Sequence, residues 1–254
     1  TTVGHDALHD KQTGNYNTAN GMEALYKNTG SYNTAVGHVA LKNNTSGQFN
    51  VAVGKSALFN NSSSSYNTAV GANALTSNTG AENTAVGCSA MQSNISGNYN
   101  TAVGFEAMNK HQSGTNNTAM GNKSLYTNSS GDNNTALGAY SLQFSNNADY
   151  NTAVGGSAMQ MNQTGAENTA VGQAALQNNT GGSANTSIGR ASMVVNTMGS
   201  HNFAGGCHVL YKNTYGNDNT AIGDSALFFN ISGSHNTACG NCAAFNNLAA
   251  THLT

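Results

Sequence analysis

Proline and tryptophan are absent from this chain, and charge of either sign is scarce, with 8 Lys and Arg against 10 Asp and Glu. A formal net charge of −2 supplies no basic field, which argues against nucleic acid and anionic membrane as main partners. No stretch approaches the ~18 consecutive apolar residues of a membrane-spanning helix, so no membrane insertion is expected. Large apolar residues are thin as well: Leu, Ile, Val and Phe make up roughly 15% of the chain, a level at which disorder is suspected. The other half of the disorder signature is missing, because a nearly neutral chain does not repel itself into an expanded state. A thick-cored globular enzyme and a charged disordered tail are both poor descriptions.

What fills the chain instead is Asn, 42 of 254 residues, with 30 Gly beside it. A repeat orders them. A block reading Asn-Thr-Ala-Val-Gly recurs from end to end, closing on Gly4, Gly21, Gly37, Gly54, Gly71, Gly87, Gly104, Gly121, Gly138, Gly155, Gly172, Gly189, Gly206, Gly223 and Gly240. The spacing is 17 residues, shortened to 16 between Gly21 and Gly37 and between Gly71 and Gly87. Counted from that Gly, position −4 is Asn in every full copy, as at Asn33, Asn67, Asn83, Asn100 and Asn151. Position −3 is Thr in 12 of the 14 full copies, −2 is Ala except at Ser187, and −1 is mostly Val, Ile, Leu or Met, as at Val36 and Val70. Position +4 is Leu or Met, as at Leu41 and Leu75, and lapses only at Ala244. Position +7 is usually Asn, and most copies carry a second Gly at +9 or +10.

A period of 17 holds no helical stripe and offers two short apolar strokes per copy, separated by Gly and Asn corners. Strokes this short cannot fold alone but can stack, copy on copy, into parallel ladders. Gly at the corners supplies positive φ without steric cost, and stacked Asn can pass amide hydrogen bonds along the stacking axis. The fold class expected is therefore all-β: a parallel β-solenoid of about 15 coils over residues 1–247, a rod of roughly 70 Å, with 248–254 as a C-terminal tail or cap. Alternation along Asn-Thr-Ala-Val puts Thr and Val on one face and Asn and Ala on the other. Val36, Val70, Leu41 and Leu75 are expected in the core, held in shape by the Asn column and by Gly37, Gly71, Gly87, Gly104 and Gly155. Ala on the face opposite Val suggests close approach on both sides, so association with copies of the same chain is expected.

Blocks such as Tyr32-Asn33-Thr34-Ala35-Val36-Gly37 and Glu82-Asn83-Thr84-Ala85-Val86-Gly87, followed by Ala-Leu or Ala-Met, resemble the NTAVGxxAL repeats of phage and algal-virus tail-fibre proteins. Related repeats occur in large bacterial surface proteins, often ahead of a self-cleaving intramolecular chaperone domain. The chain is similar, more distantly, to the head repeats of trimeric autotransporter adhesins. The resemblance implies a left-handed, homotrimeric β-roll on the outside of a virion or cell, serving as shaft or head of an adhesive appendage. It also implies multivalent contact with surface glycans, in which repetition converts weak contacts into avidity. A competing expectation is an end-to-end filament, since a first coil beginning within the motif at Thr2-Val3-Gly4 presents an open sheet edge.

Little in the sequence suggests catalysis or a cofactor. The 8 His are scattered without a recurring acidic partner, no phosphate-loop pattern appears, and the acidic residues form no calcium-binding column. Cys239 and Cys242, with His235 and His252 nearby, make only half a zinc signature; a terminal disulfide, an interchain link or plain packing is the simpler expectation, and no metal is expected. Cys88 and Cys207 lie seven coils apart, beyond disulfide reach within one rod.

Two partial aromatic columns stand out. Tyr16, Tyr32, Phe49, Tyr66, Tyr99 and Tyr150 precede the column Asn; Tyr26, Phe59, Tyr126, Tyr211 and Phe228 follow Leu or Met, and Phe245 holds the same place after Ala244. Exposed rings beside amides suit sugars, which makes Tyr16, Tyr32, Tyr66, Tyr99 and Tyr150 candidate glycan contacts; the alternative is that the rings shield corners and a thin core. The Thr column at −3 opens a third function class, an ice-binding surface, against which stands the expectation that Val turns the same face inward.

Overall fold

The computed structural model describes residues 1–10 and 13–253. It is all-β, a parallel β-solenoid of fifteen short strands spaced about 17 residues apart, with no helix among the described residues. Two compact units are present, Thr1–Ser130 and Gly131–Thr254. The first holds β1 (Thr2–Val3), β2 (Thr18–Asn20), β3 (Thr34–Val36), β4 (Val51–Val53), β5 (Thr68–Val70), β6 (Thr84–Val86), β7 (Thr101–Val103) and β8 (Thr118–Met120). The second holds β9 (Thr135–Leu137), β10 (Thr152–Val154), β11 (Thr169–Val171), β12 (Thr186–Ile188), β13 (Phe203–Gly205), β14 (Thr220–Ile222) and β15 (Thr237–Cys239). Within each unit every strand pairs in parallel with the next in sequence, like on like: Ala35 opposes Ala52 and Val36 opposes Val53.

Three-residue strands persist because the loops between them are also bonded coil to coil. In each coil three side-chain-bearing residues, at −5, +2 and +4, adopt left-handed φ between 46 and 62°. That conformation disfavours L-residues, and repeating it turns successive amides in opposite directions along the stack. Val39 N–H donates to Met22 O of the preceding coil, while Leu41 N–H donates to Ala57 O of the following one, both at 2.9 Å.

The interior differs from the sequence expectation in one respect. Leu41 and Leu75 are fully buried as expected, but Val36 and Val70 are not core residues. The strand turns its Ala and Asn inward and its Thr and Val outward: Ala35, Asn33 and Asn67 are fully buried, whereas Val70 is 36% exposed. The reason is the thinness of the coil. At β12 the inward Ser187 Oγ donates to Ser192 Oγ at 2.9 Å, so positions −2 and +3 face each other across the interior at hydrogen-bond distance. Ala or Ser fills both positions in every full coil except at Val209, and the Leu or Met column takes the remaining volume.

Buried Asn side chains are tolerable only if bonded, and here they bond along the stack in two ladders. In the −4 ladder each Asn carbonyl accepts the next coil's Asn backbone N–H: Asn67 N to Asn50 Oδ1 at 2.9 Å, Asn83 N to Asn67 Oδ1 and Asn100 N to Asn83 Oδ1 at 3.0 Å. The second unit repeats this, with Asn168 N to Asn151 Oδ1 at 3.0 Å. In the +7 ladder amide meets amide, from Asn44 to Asn28 at 2.6 Å through Asn94 to Asn78 at 2.7 Å. Both ladders converge on one carbonyl per coil: Gly47 O accepts from Asn33 Nδ2 and Asn44 Nδ2. The 16-residue coils lose their residue between the +7 Asn and that carbonyl and still make the bond, from Asn28 Nδ2 to Gly30 O at 2.8 Å.

The +7 ladder is interrupted twice among the described residues, at His111 and at Ser145, whose Oγ is buried without a hydrogen-bond partner. His111 replaces Asn, and its Nε2 lies 2.9 Å from Gly114 O, so the corner contact survives. The preceding amide pays for the change: Asn94 Oδ1 is buried with no hydrogen-bond partner. His111→Asn is expected to restore the donor and raise the unfolding free energy by about 1–2 kcal/mol, read as an upward shift of the urea midpoint.

At the C-terminal end the tail continues the ladders rather than departing from them. Asn236 Nδ2 donates to Ala250 O at 2.8 Å and Leu253 N to Asn236 Oδ1 at 3.0 Å. Thr254, the last residue of the expected 248–254 tail, lies outside the described residues, as do Lys11 and Gln12.

Candidate functional site

The outward side of each strand is the most regular surface. In the first unit it presents Thr34, Thr68, Thr84 and Thr101 in one column, broken by Val51, and Val36, Val53, Val70, Val86 and Val103 in the next. No charged residue falls in either column of either unit. Coil spacing sets ~4.8 Å along the columns, and alternate strand residues lie ~6.7 Å apart across them. The hydroxyls of Thr34, Thr68, Thr84 and Thr101 make no hydrogen bond among the described residues, which leaves them to solvent or to a partner.

Beside this face the −5 column forms a continuous ring stack. Tyr16, Tyr32, Phe49 and Tyr66 follow one another with centroids 4.9, 4.8 and 5.1 Å apart and interplanar angles of 17°, 3° and 5°. Stacking occupies both faces of Tyr32, so among the glycan candidates it offers only its edge. Tyr16 and Tyr66 keep one face each, and Tyr66 shares an open hollow with Glu82. Tyr99 and Tyr150 are exposed and stand apart from the stack, with no ring neighbour among the described residues. In the second unit Tyr211, Phe228 and Phe245 stack at 5.0 and 5.2 Å. The column pattern shows all these rings; that neighbouring rings consume each other's faces follows from their near-parallel orientation at the coil spacing.

Charge sits at the turns. Lys42 Nζ donates to Glu23 Oε2 at 2.6 Å, and this hydrogen bond holds the Glu23 carboxyl below its ordinary pKa. Cys239 and Cys242 are not paired with each other within the chain; both are exposed, and Cys239 stands in the outward Val column. His235 stacks on His252 at 5.1 Å and its Nδ1 lies 3.9 Å from Asp218, without drawing either thiol into a cluster. Among the described residues, the group of mixed donors that does converge is elsewhere, at Cys207, His208 and Asp224. Sequence reading passed over it because Asp224 is far from the pair in the chain; the signal available was the offset of 17 from Cys207, which places both at +1 of adjacent coils.

Comparison with known proteins gives no match: no family model, no curated protein and no solved structure matches this chain.

Proposed function

We propose that this chain is a non-enzymatic structural segment of a fibre, working on the outside of a virion or cell, that associates with copies of itself through the outward Thr–Val face. The direction of the bonding carries this reading. Within each unit the β-ladder, the turn amides and both Asn ladders all run from coil to coil, so tension along the stack is shared over many parallel bonds. The outward face supports self-association, because a continuous uncharged column of half-exposed Val is the kind of surface that a partner covers. Glycan contact, on this reading, falls on the open ends of the ring stack at Tyr16 and Tyr66, and on the isolated Tyr99 and Tyr150. Light scattering behind a sizing column tests the assembly: a single species near the mass of three chains is expected. A monomer would overturn self-association, and open-ended polymers would favour the filament.

A second reading, binding to ice, is favoured by one observation: the Thr hydroxyls are outward, in register and unbonded, beside Val methyls. The expectation that Val would turn this face inward no longer stands. An ice-recrystallisation assay decides it. Activity of the parent chain that is lost in Thr68→Lys/Thr84→Lys would establish this reading, and inactivity of the parent would discard it.

A further inference from the structure

We propose that Cys207, His208 and Asp224 form a binding site for a zinc-class divalent transition-metal ion. Their ligand atoms all lie within 4.8 Å of one another, and Cys207 Sγ is 3.2 Å from His208 Nδ1. Tetrahedral zinc with bonds of 2.0–2.3 Å needs ligand separations of about 3.3–3.6 Å, within reach of small side-chain rotations.

The backbone fixes the arrangement. Cys207 follows the corner Gly206, and His208 has φ of 54°, the left-handed conformation of the +2 column. Ser225 N–H donates to Cys207 O at 2.9 Å, which locks the coil of Asp224 directly beside that of Cys207. The His208 ring meets the edge of Tyr211 at 5.8 Å, limiting its rotation. The donor set is one sulfur, one nitrogen and one oxygen. Thiolate and imidazole favour zinc, cobalt or nickel, whereas calcium and magnesium require mostly oxygen ligands. Three protein ligands leave the fourth position to water.

Arg190 sits on the other side of the sulfur, its Nη2 3.4 Å from Cys207 Sγ. A guanidinium there opposes the incoming cation by its charge, so affinity is below that of a closed four-ligand zinc site. Because the ligands come from two coils, bound metal staples one coil to the next.

Cobalt titration into the reduced chain, followed by absorption, tests the site. One cobalt per chain with a thiolate-to-metal charge-transfer band, displaced by zinc, is expected. Cys207→Ser should abolish the band and Asp224→Asn should weaken binding at least about tenfold, while Cys88→Ser and Cys242→Ser should bind like the parent. Zinc should raise the melting temperature of the parent and not that of Cys207→Ser. Asp224 is exposed, so its variant tests the site without risk to folding. A parent without the thiolate band, a band that survives in Cys207→Ser, or unchanged affinity in Asp224→Asn would overturn the proposal.

Discussion

Gly71→Ala is expected to unfold the first unit under conditions in which the parent chain is folded. A Cβ on Gly71 would lie 2.3 Å from Gly87 O and 2.6 Å from its carbonyl carbon. These are backbone atoms of the next coil, held in place because Gly87 N–H donates to Val70 O at 2.8 Å. Relieving the overlap means opening the stack there, at about 1–3 kcal/mol by comparison with overpacked cores. Gly71 also has φ of +137°, where a side chain adds a similar strain of about 1–3 kcal/mol. The sum is about 2–6 kcal/mol, whose upper part reaches the range where single substitutions become exceptional. Gly156→Ala is the control, because a Cβ there would meet nothing nearer than Ala139 O at 4.0 Å. Its expected effect is within about 0.5 kcal/mol. Urea titrations followed by circular dichroism compare the two, and a Gly71→Ala midpoint equal to that of Gly156→Ala would refute the steric account of the corner.

The double variant Val70→Lys/Val86→Lys is expected to remain folded and to lose self-association. Both positions are 36% exposed on adjacent strands of the outward face. An outward Val→Lys change in a strand costs at most about 1 kcal/mol, and two neighbouring ammonium groups add a few tenths more. Buried in an interface between copies, the same groups would be desolvated charges without partners, at several kcal/mol each. The measurement is mass by light scattering together with circular dichroism. A folded single chain is expected. Retained assembly would move the interface to another surface, and unfolding would show that Val does belong to the interior.

That last outcome bears on what the sequence could and could not reveal. The repeat, the parallel register and the one-coil-per-motif architecture were all legible, because Asn and Gly at a fixed period admit few other arrangements. Leu41 and Leu75 were legible as core for the same reason. The orientation of the strand was not. Alternation states that Thr34 and Val36 share a face, but not which face is inside, and hydropathy favours Val over Ala. The decisive quantity is the coil's thickness, visible only where Ser187 bonds Ser192 across it. The aromatic columns were legible as columns, yet the loss of the Tyr32 faces depends on ring orientation. Cys207, His208 and Asp224 escaped because their proximity is a product of stacking, not of motif.

The like-on-like register has a genetic consequence. Val36 lies against Val53, and Val53 against Val70, through equivalent contacts. Excising one period, residues 51–67, would bring Val36 against Val70 and recreate the same junction, with Asn33 serving the Asn that follows. Loss or gain of a whole period in the gene therefore changes the chain by whole coils without leaving a misfit at the seam. Length becomes a heritable dial, adjustable in steps of ~4.8 Å, while the register of the ladders stays the same.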